Sequence, residues 1–259
     1  MPMTERFGPY GPQYAERTYL AHRFPEERFD TAEVQMNHVC VGDLDKPALL
    51  LIPGQTESWW GYEDALPLLA DRFQCFAIDL RGQGRSSRTP GRYTLDNMGN
   101  DLVRFIQGRI AQPAIISGLS SGGVLSCWLS AYAPPGLVRG AHFEDPPLFA
   151  SEADTSCGQS LRQGVGHMFR LWSTYLGDQW SIGDWHGMVA AAPTELPAWL
   201  AALFSAMAGD QPPQNLKEYD PEWGRALLDR HGRRLLQPRS YARRRQGPRP
   251  VHAPLPRGR

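Results

Sequence analysis

The stretch Pro113 to Tyr132, PAIISGLSSGGVLSCWLSAY, restricts the fold more than any other in the chain. An apolar run, Pro113 to Ser117, meets a turn of two serines among glycines, and a helical pattern continues from Val124 to Tyr132. A continuous apolar run bounded by turn residues is the pattern of a strand buried on both faces. Ala48 to Ile52 (ended by Pro53-Gly54), Phe73 to Leu80 (ended by RGQGRSS) and Leu137 to Glu144 read the same way. Glu33 to Gly42 adds an early strand, with Val34, Met36 and Cys40 at even spacing. Thr94 can cap a helix whose Leu95, Met98, Leu102 and Ile106 line one face. Strand, helix, strand repeated in this order predicts an α/β fold, a mostly parallel sheet flanked by helices. In such sheets ligands bind beyond the carboxyl ends of the strands.

A chain of 259 residues can bury a sizeable core as one domain with an insertion. Its eight Trp, ten Phe and nine Tyr are too many for a disordered chain. The expected division is a loose, Gly- and Pro-rich arm over 1–18, an α/β core over 19–150, a helical lid over 151–228 and an Arg/Pro-rich tail over 229–259. In the lid, Met168, Leu171, Trp172, Tyr175 and Leu176 recur at helical spacing, as do Trp199, Leu200, Leu203 and Phe204. Cys40, Cys75, Cys127 and Cys157 have no short paired spacing, and neither metal-ligand spacings nor a membrane-length apolar run is present. These features predict a cytoplasmic protein with no metal and no membrane span; they leave its oligomeric state open. Residues 230–259 hold ten Arg and no acid, so residues 1–229 carry 17 basic against 27 acidic side chains. Nothing in that acidic body suits a nucleic-acid backbone.

Gly118-Leu119-Ser120-Ser121-Gly122 matches G-x-S-x-G between a predicted strand and a predicted helix. There the serine stands on a tight turn at the positive end of the helix, which makes Ser120 the candidate nucleophile. The competing reading is a plain glycine-rich turn. Acyl transfer needs two N–H donors for the oxyanion, and Ser121 and Gln55 are the candidates, with Gly54 allowing close approach. Pro53-Gly54 could equally be an ordinary turn. Trp59 and Trp60 are either core or pocket wall. Trp172, Trp180, Trp185 and Trp199 either line an apolar pocket or pack the lid. Gly54, Trp59, Trp60, Trp180 and Trp185 form the candidate substrate-binding set.

In order, IPGQTESWW, DLRGQGRSS, GLSSGG and FEDPP resemble the α/β-hydrolase family. More narrowly, HRFPE, QTESWWGYE, YTLDNMGNDLVRFI, LGDQWSIGDW and PPQNLKEYDPEWGRA look like the bacterial zearalenone lactonases, a likeness running from about Ala21 to Asp229. The resemblance implies a serine hydrolase of carboxylic esters or lactones that works through an acyl-enzyme without a cofactor. It implies as substrate a small molecule such as the resorcylic lactone zearalenone. It also implies a Ser–acid–His triad with Glu144, 24 residues after Ser120, as orienting carboxylate, and its neighbour Asp145 as the alternative. Related haloalkane and epoxide enzymes carry Asp at the elbow, so Ser120 argues against their chemistry.

The family's histidine lies after the last strand. None of His22, His38, His142, His167, His186, His231 or His252 stands behind a buried apolar run at the right place. The resemblance stops a residue or two after KEYDPEWGRALLD. Residues 230–259 have the composition of GC-rich DNA read out of frame, so the expectation is a fold lacking its last strands and helix and a chain with little triad activity. The competing expectation is an inactive remnant that only binds apolar ligands.

Overall fold

The computed structural model describes residues 22–147, 166–176, 183–210 and 212–228. The arm over 1–18, Cys157, Trp180, the tail over 229–259 and its His231 and His252 lie outside the described residues.

Six strands form one sheet: β1 (Glu27–Asp30), β2 (Gln35–Val41), β3 (Ala48–Ile52), β4 (Gln74–Ile78), β5 (Ala114–Leu119) and β6 (Val138–Glu144). Their order is β1-β2-β4-β3-β5-β6, with β1 and β2 antiparallel and β4, β3, β5 and β6 mutually parallel. The parallel strands are joined through α1 (Leu66–Ala70), α2 (Leu95–Phe105) and α3 (Ser121–Tyr132). After β3 the chain moves to β4 on one side, then crosses back to β5 on the other. This reversal opens a crevice at the carboxyl ends of β3 and β5, where their loops part.

Every residue of β3 is buried, because alternate side chains enter two different cores. Ala48, Leu50 and Ile52 pack with Phe76, Leu102, Phe105 and Leu125 under α2 and α3. Leu49 and Leu51 pack with Trp59, Leu66 and Cys75 on the other face. Burying a leucine fully contributes roughly 1.5–3 kcal/mol, so these positions dominate the stability of the sheet. Thr94 caps α2 as its sequence predicts, its Oγ1 accepting from the Asn97 N–H at 3.1 Å, and Leu95, Met98 and Leu102 are buried.

The predicted strands appear within a few residues of their expected limits, and α3 begins at Ser121, three residues earlier than its apolar pattern. β1 and α1 are not legible in the sequence. β1 reads ERFD and is a strand because it pairs with β2 and places Phe29 against Phe105.

Five further helices complete the described chain: α4 (Gly166–Tyr175), α5 (Trp185–Glu195), α6 (Ala198–Met207), α7 (Gln214–Lys217) and α8 (Glu222–Leu228). Leu171, Trp185, Met188, Leu200, Phe204 and Leu216 form a separate apolar cluster among them. The helical stripe expected at Trp199, Leu200, Leu203 and Phe204 is divided: Leu200 and Phe204 are buried, while Trp199 and Leu203 are exposed. Neighbouring positions on a helix lie about 100° apart, so Trp199 and Leu203 point away from the cluster that Leu200 and Phe204 enter. Among the described residues no helix is long and apolar enough to cross a membrane, and no group of three or more His, Cys, Asp or Glu side chains is arranged to hold a metal.

Candidate active site

The crevice is built around Ser120, whose backbone sits at φ 52°, ψ −115° between β5 and α3. A non-glycine residue rarely adopts positive φ, and strain of this kind costs on the order of 1–3 kcal/mol. The surroundings enforce it. A side chain at Gly118 would run into the Gly122 carbonyl, and one at Gly122 into the carbonyls of Ile52 and Pro53. The Ser120 N–H donates to the Glu144 carbonyl at 2.8 Å, which ties the turn to the end of β6. Ser120 is half-buried and Ser121 nearly fully buried at the first turn of α3. There, backbone N–H groups lack helical partners and the helix dipole is positive. Among the described residues, Ser121 Oγ has no hydrogen-bond partner.

Facing this turn is the loop that leaves β3. Gly54 is buried, and a Cβ on it would lie 3.5 Å from the Leu119 carbonyl, which puts the loop in direct contact with the turn. The Gly54 N–H donates to Glu57 Oε2 at 3.1 Å. The Thr56 N–H donates to Gln83 Oε1 at 2.5 Å, with Thr56 at φ 64°. The Gln55 side-chain amide donates to the Tyr219 hydroxyl at 2.6 Å. The backbone on either side of Gln55 is thus pinned. Burial raises the Glu57 carboxyl above the ordinary carboxylate range; the Gly54 N–H opposes this and the charge of Glu144 reinforces it. Tyr62, whose hydroxyl donates to the Ile52 carbonyl at 2.9 Å, is raised by burial and then by Glu57 and Glu144.

The loop after β4 forms a wall held by buried hydrogen bonds. Asp79 is fully buried and accepts from the Trp59 N–H (2.7 Å), the Asn37 amide (2.8 Å) and the Arg85 N–H (2.9 Å). Arg81, also buried, forms a two-pronged pair with Asp101 at 2.6 and 2.8 Å. Its neighbour Gln83 then reaches across to Thr56.

A serine held at positive φ on a strand-to-helix turn, opposed by the β3 loop at the switch point of a parallel sheet, is an arrangement shared with a known fold family. A family model described as alpha/beta hydrolase fold matches residues 47–179, more than half of the chain. The chain belongs to the alpha/beta hydrolase fold family. Curated members similar to it include epoxide hydrolase 1 of Caenorhabditis elegans, 32% identical over 41% of this chain and 26% of that protein. Another is 3-oxoadipate enol-lactonase 2 of Acinetobacter baylyi, 29% identical over 39% of this chain and 38% of that protein. The matches thus span about a quarter to somewhat over a third of those relatives. The crystal structure of E-2-(acetamidomethylene)succinate hydrolase superposes with a TM-score of 0.55 at 22% identity, covering 83% of this chain and 74% of that one.

Within this alpha/beta hydrolase fold, the structure brings Ser120, Ser121, Gly54 and Gln55 to one crevice. The Glu144 carbonyl joins them, while the Glu144 and Asp145 side chains are exposed at and just past the end of β6, Asp145 at φ 43°. Histidines are engaged elsewhere: His22 with Glu63 (3.3 Å), the buried His38 with Arg109 (2.9 Å) and His142 with Ser117 (3.0 Å). His167 and His186 lie on α4 and α5.

An apolar cavity of about 220 Å³ lies between helices α4 to α7 and the β3 loop, with Thr56, Trp172, Trp185, Leu200, Phe204 and Leu216 among its walls. Trp185 therefore stands where a pocket wall is expected. Trp59 does not: it is fully buried in the core under the sheet, its ring N–H donating to Glu26 at 2.6 Å. Trp60 packs on that same core and stacks with His22, and neither tryptophan lines the cavity. The period of the WW pair carries no sign of which side faces inward, since the turn at Trp59–Tyr62 decides it. Glu57 and Gln83 join the site without any signal in the sequence. Both act on backbone N–H groups, a role that leaves no motif.

Proposed function

We propose that the chain is built as a serine hydrolase of neutral carboxylic esters or lactones, with Ser120 as nucleophile. The observation that carries this reading is the backbone of Ser120 at φ 52°, held by glycines that leave no room for a side chain. Such strain persists only where the surroundings over-determine it, and it keeps the hydroxyl at the mouth of the crevice. In the proposed reaction Ser120 Oγ bonds to the carbonyl carbon and its proton passes to a base. The oxyanion accepts from the Ser121 and Gln55 N–H groups. Collapse breaks the ester C–O bond, the departing alkoxide takes up a proton, and water then cleaves the acyl-enzyme. Glu144, joined to the turn through its carbonyl, is the proposed acid of the triad. The walls of Trp172, Trp185 and Phe204 suit an aromatic part of such an ester or lactone, and the resemblance of the sequence to zearalenone lactonases points to that class.

A serine-directed fluorophosphonate tests the nucleophile: labelling should occur at Ser120 and vanish in Ser120→Ala. Labelling that survives the substitution refutes the assignment. A second reading, a pocket that binds apolar ligands without turnover, is favoured by one observation. His22, His38 and His142 are each committed to partners away from Ser120. Tryptophan fluorescence that responds to zearalenone, with no ester turnover, would select it.

A further inference from the structure

Three consecutive residues of the segment between α7 and α8 each reach a different part of the crevice. Glu218 is buried, and its Oε2 accepts from Ser58 Oγ and the Trp60 ring N–H, both at 3.4 Å. The Asp220 N–H donates to the Gly82 carbonyl at 2.8 Å. Its carboxylate accepts from Arg88 Nε at 2.7 Å and the Tyr93 hydroxyl at 2.5 Å. Between them, the Tyr219 hydroxyl accepts from the Gln55 side-chain amide at 2.6 Å. Tyr219 is 1% exposed and Gln55 half-buried, so this bond is partly sheltered from solvent, where a lost partner is costly to replace. The ring cannot drift: it meets Trp172 edge-on at 5.8 Å, and its main chain is fixed by the neighbouring Asp220. Trp172 in turn walls the apolar cavity.

We infer that Tyr219 is a positioning residue for the oxyanion hole, acting through Gln55, and that it makes the geometry of the β3 loop depend on the segment between α7 and α8 being seated. The inference rests on the proposed serine-hydrolase reading for its catalytic consequence but not for its structural one. Glu57 and Gln83 hold the N–H groups of Gly54 and Thr56 from the core side, and Tyr219 alone of the three reaches Gln55 from that segment. A donor must be aimed at the oxyanion in advance to help the transition state, so a loosened Gln55 lowers the acylation rate and leaves ligand binding in the cavity unchanged.

Tyr219→Phe in the full chain removes only the hydroxyl and keeps the ring against Trp172. Hydrogen exchange of the peptide spanning 53–57 should quicken by about tenfold, as loss of one hydrogen bond worth roughly 1–1.5 kcal/mol predicts. Exchange across 114–132 should stay as in the parent. Fluorophosphonate labelling of Ser120 should slow by a similar factor, zearalenone binding read by tryptophan fluorescence should not move, and Gln55→Ala with Tyr219→Phe should label no slower than either single variant. Unchanged exchange over 53–57 overturns the inference whether or not Ser120 is acylated. Labelling effects that multiply in the double variant overturn the route through Gln55. Labelling that persists in Ser120→Ala instead refutes the nucleophile and leaves the exchange result standing.

Discussion

The two strands that meet at Ser120 are held by different physics. β5 lies between β3 and β6, with Ala114 and Ile116 fully buried, and it delivers Ser120 into a turn closed by backbone-to-backbone contacts at Gly118 and Gly122. β6 pairs with β5 alone among the described residues, its last residues are exposed, and Phe143 is 43% exposed. The serine side of the site is therefore set by close packing that admits no extra atom. The carboxylate side is set by ladder bonds and the single 2.8 Å bond from the Ser120 N–H to the Glu144 carbonyl. Close packing transmits any added volume as strain, whereas an exposed strand relaxes around it.

Gly122→Ala should break the serine side most severely. Its new methyl meets the carbonyls of Ile52 and Pro53, which belong to the central strand and its turn and cannot rotate away as a side chain would. A loss on the order of 3 kcal/mol is expected from such overpacking, read as a lower melting temperature together with loss of Ser120 labelling. A variant as stable as its parent would mean the turn has slack that its contacts deny.

An effect of comparable size is read by pH. Burial holds His38, on β2, down to about 4, with the Arg109 guanidinium adding to the shift. Its folded value lies below the ordinary value of about 6.5, so the unfolded chain binds more protons between the two. Stability should rise with pH from about 4 to about 6.5 and be lost as pH falls through that range, at about 1.4 kcal/mol per unit of difference. Urea unfolding across this window should give that slope, and His38→Gln, which keeps an acceptor for Arg109 but cannot charge, should flatten it. An unaltered slope would assign the acid sensitivity to other groups.

The smallest effect belongs to β6. Phe143→Ala should change stability by no more than about 0.5 kcal/mol, as for an exposed position without special contacts. Destabilisation of about 2 kcal/mol or more in the full chain, the size typical of a buried aromatic or aliphatic side chain, would show that something covers this strand in solution and would narrow the contrast between the two sides.

Fold class was legible because it depends on short-range pattern. ALLLI reads as a strand with both faces covered, and Leu49 and Leu50 indeed enter opposite cores. Ser120 was legible because its flanking glycines are needed for steric reasons that operate within five residues, and Thr94 because a cap acts within one turn. β1 was not, because its strand state comes from pairing with β2 and not from its own charged residues.

Trp59 and Trp60 mark the limit of that local reading. Adjacent and chemically alike, they both join the core beneath the sheet and not the cavity, Trp59 more deeply than Trp60, in a turn tied to the buried Asp79 through the Trp59 N–H. Glu57, Gln83 and Tyr219 could be recognised only in three dimensions, since each matters through a backbone or amide group it meets, 164 residues away in the case of Tyr219 and Gln55. Local order along the chain carries strands, caps and the strained turn, because sterics and hydrogen bonds act between near neighbours. Which loops meet over the crevice was decided by packing between distant segments, because burial rewards any apolar partner and leaves the choice among them to the whole fold.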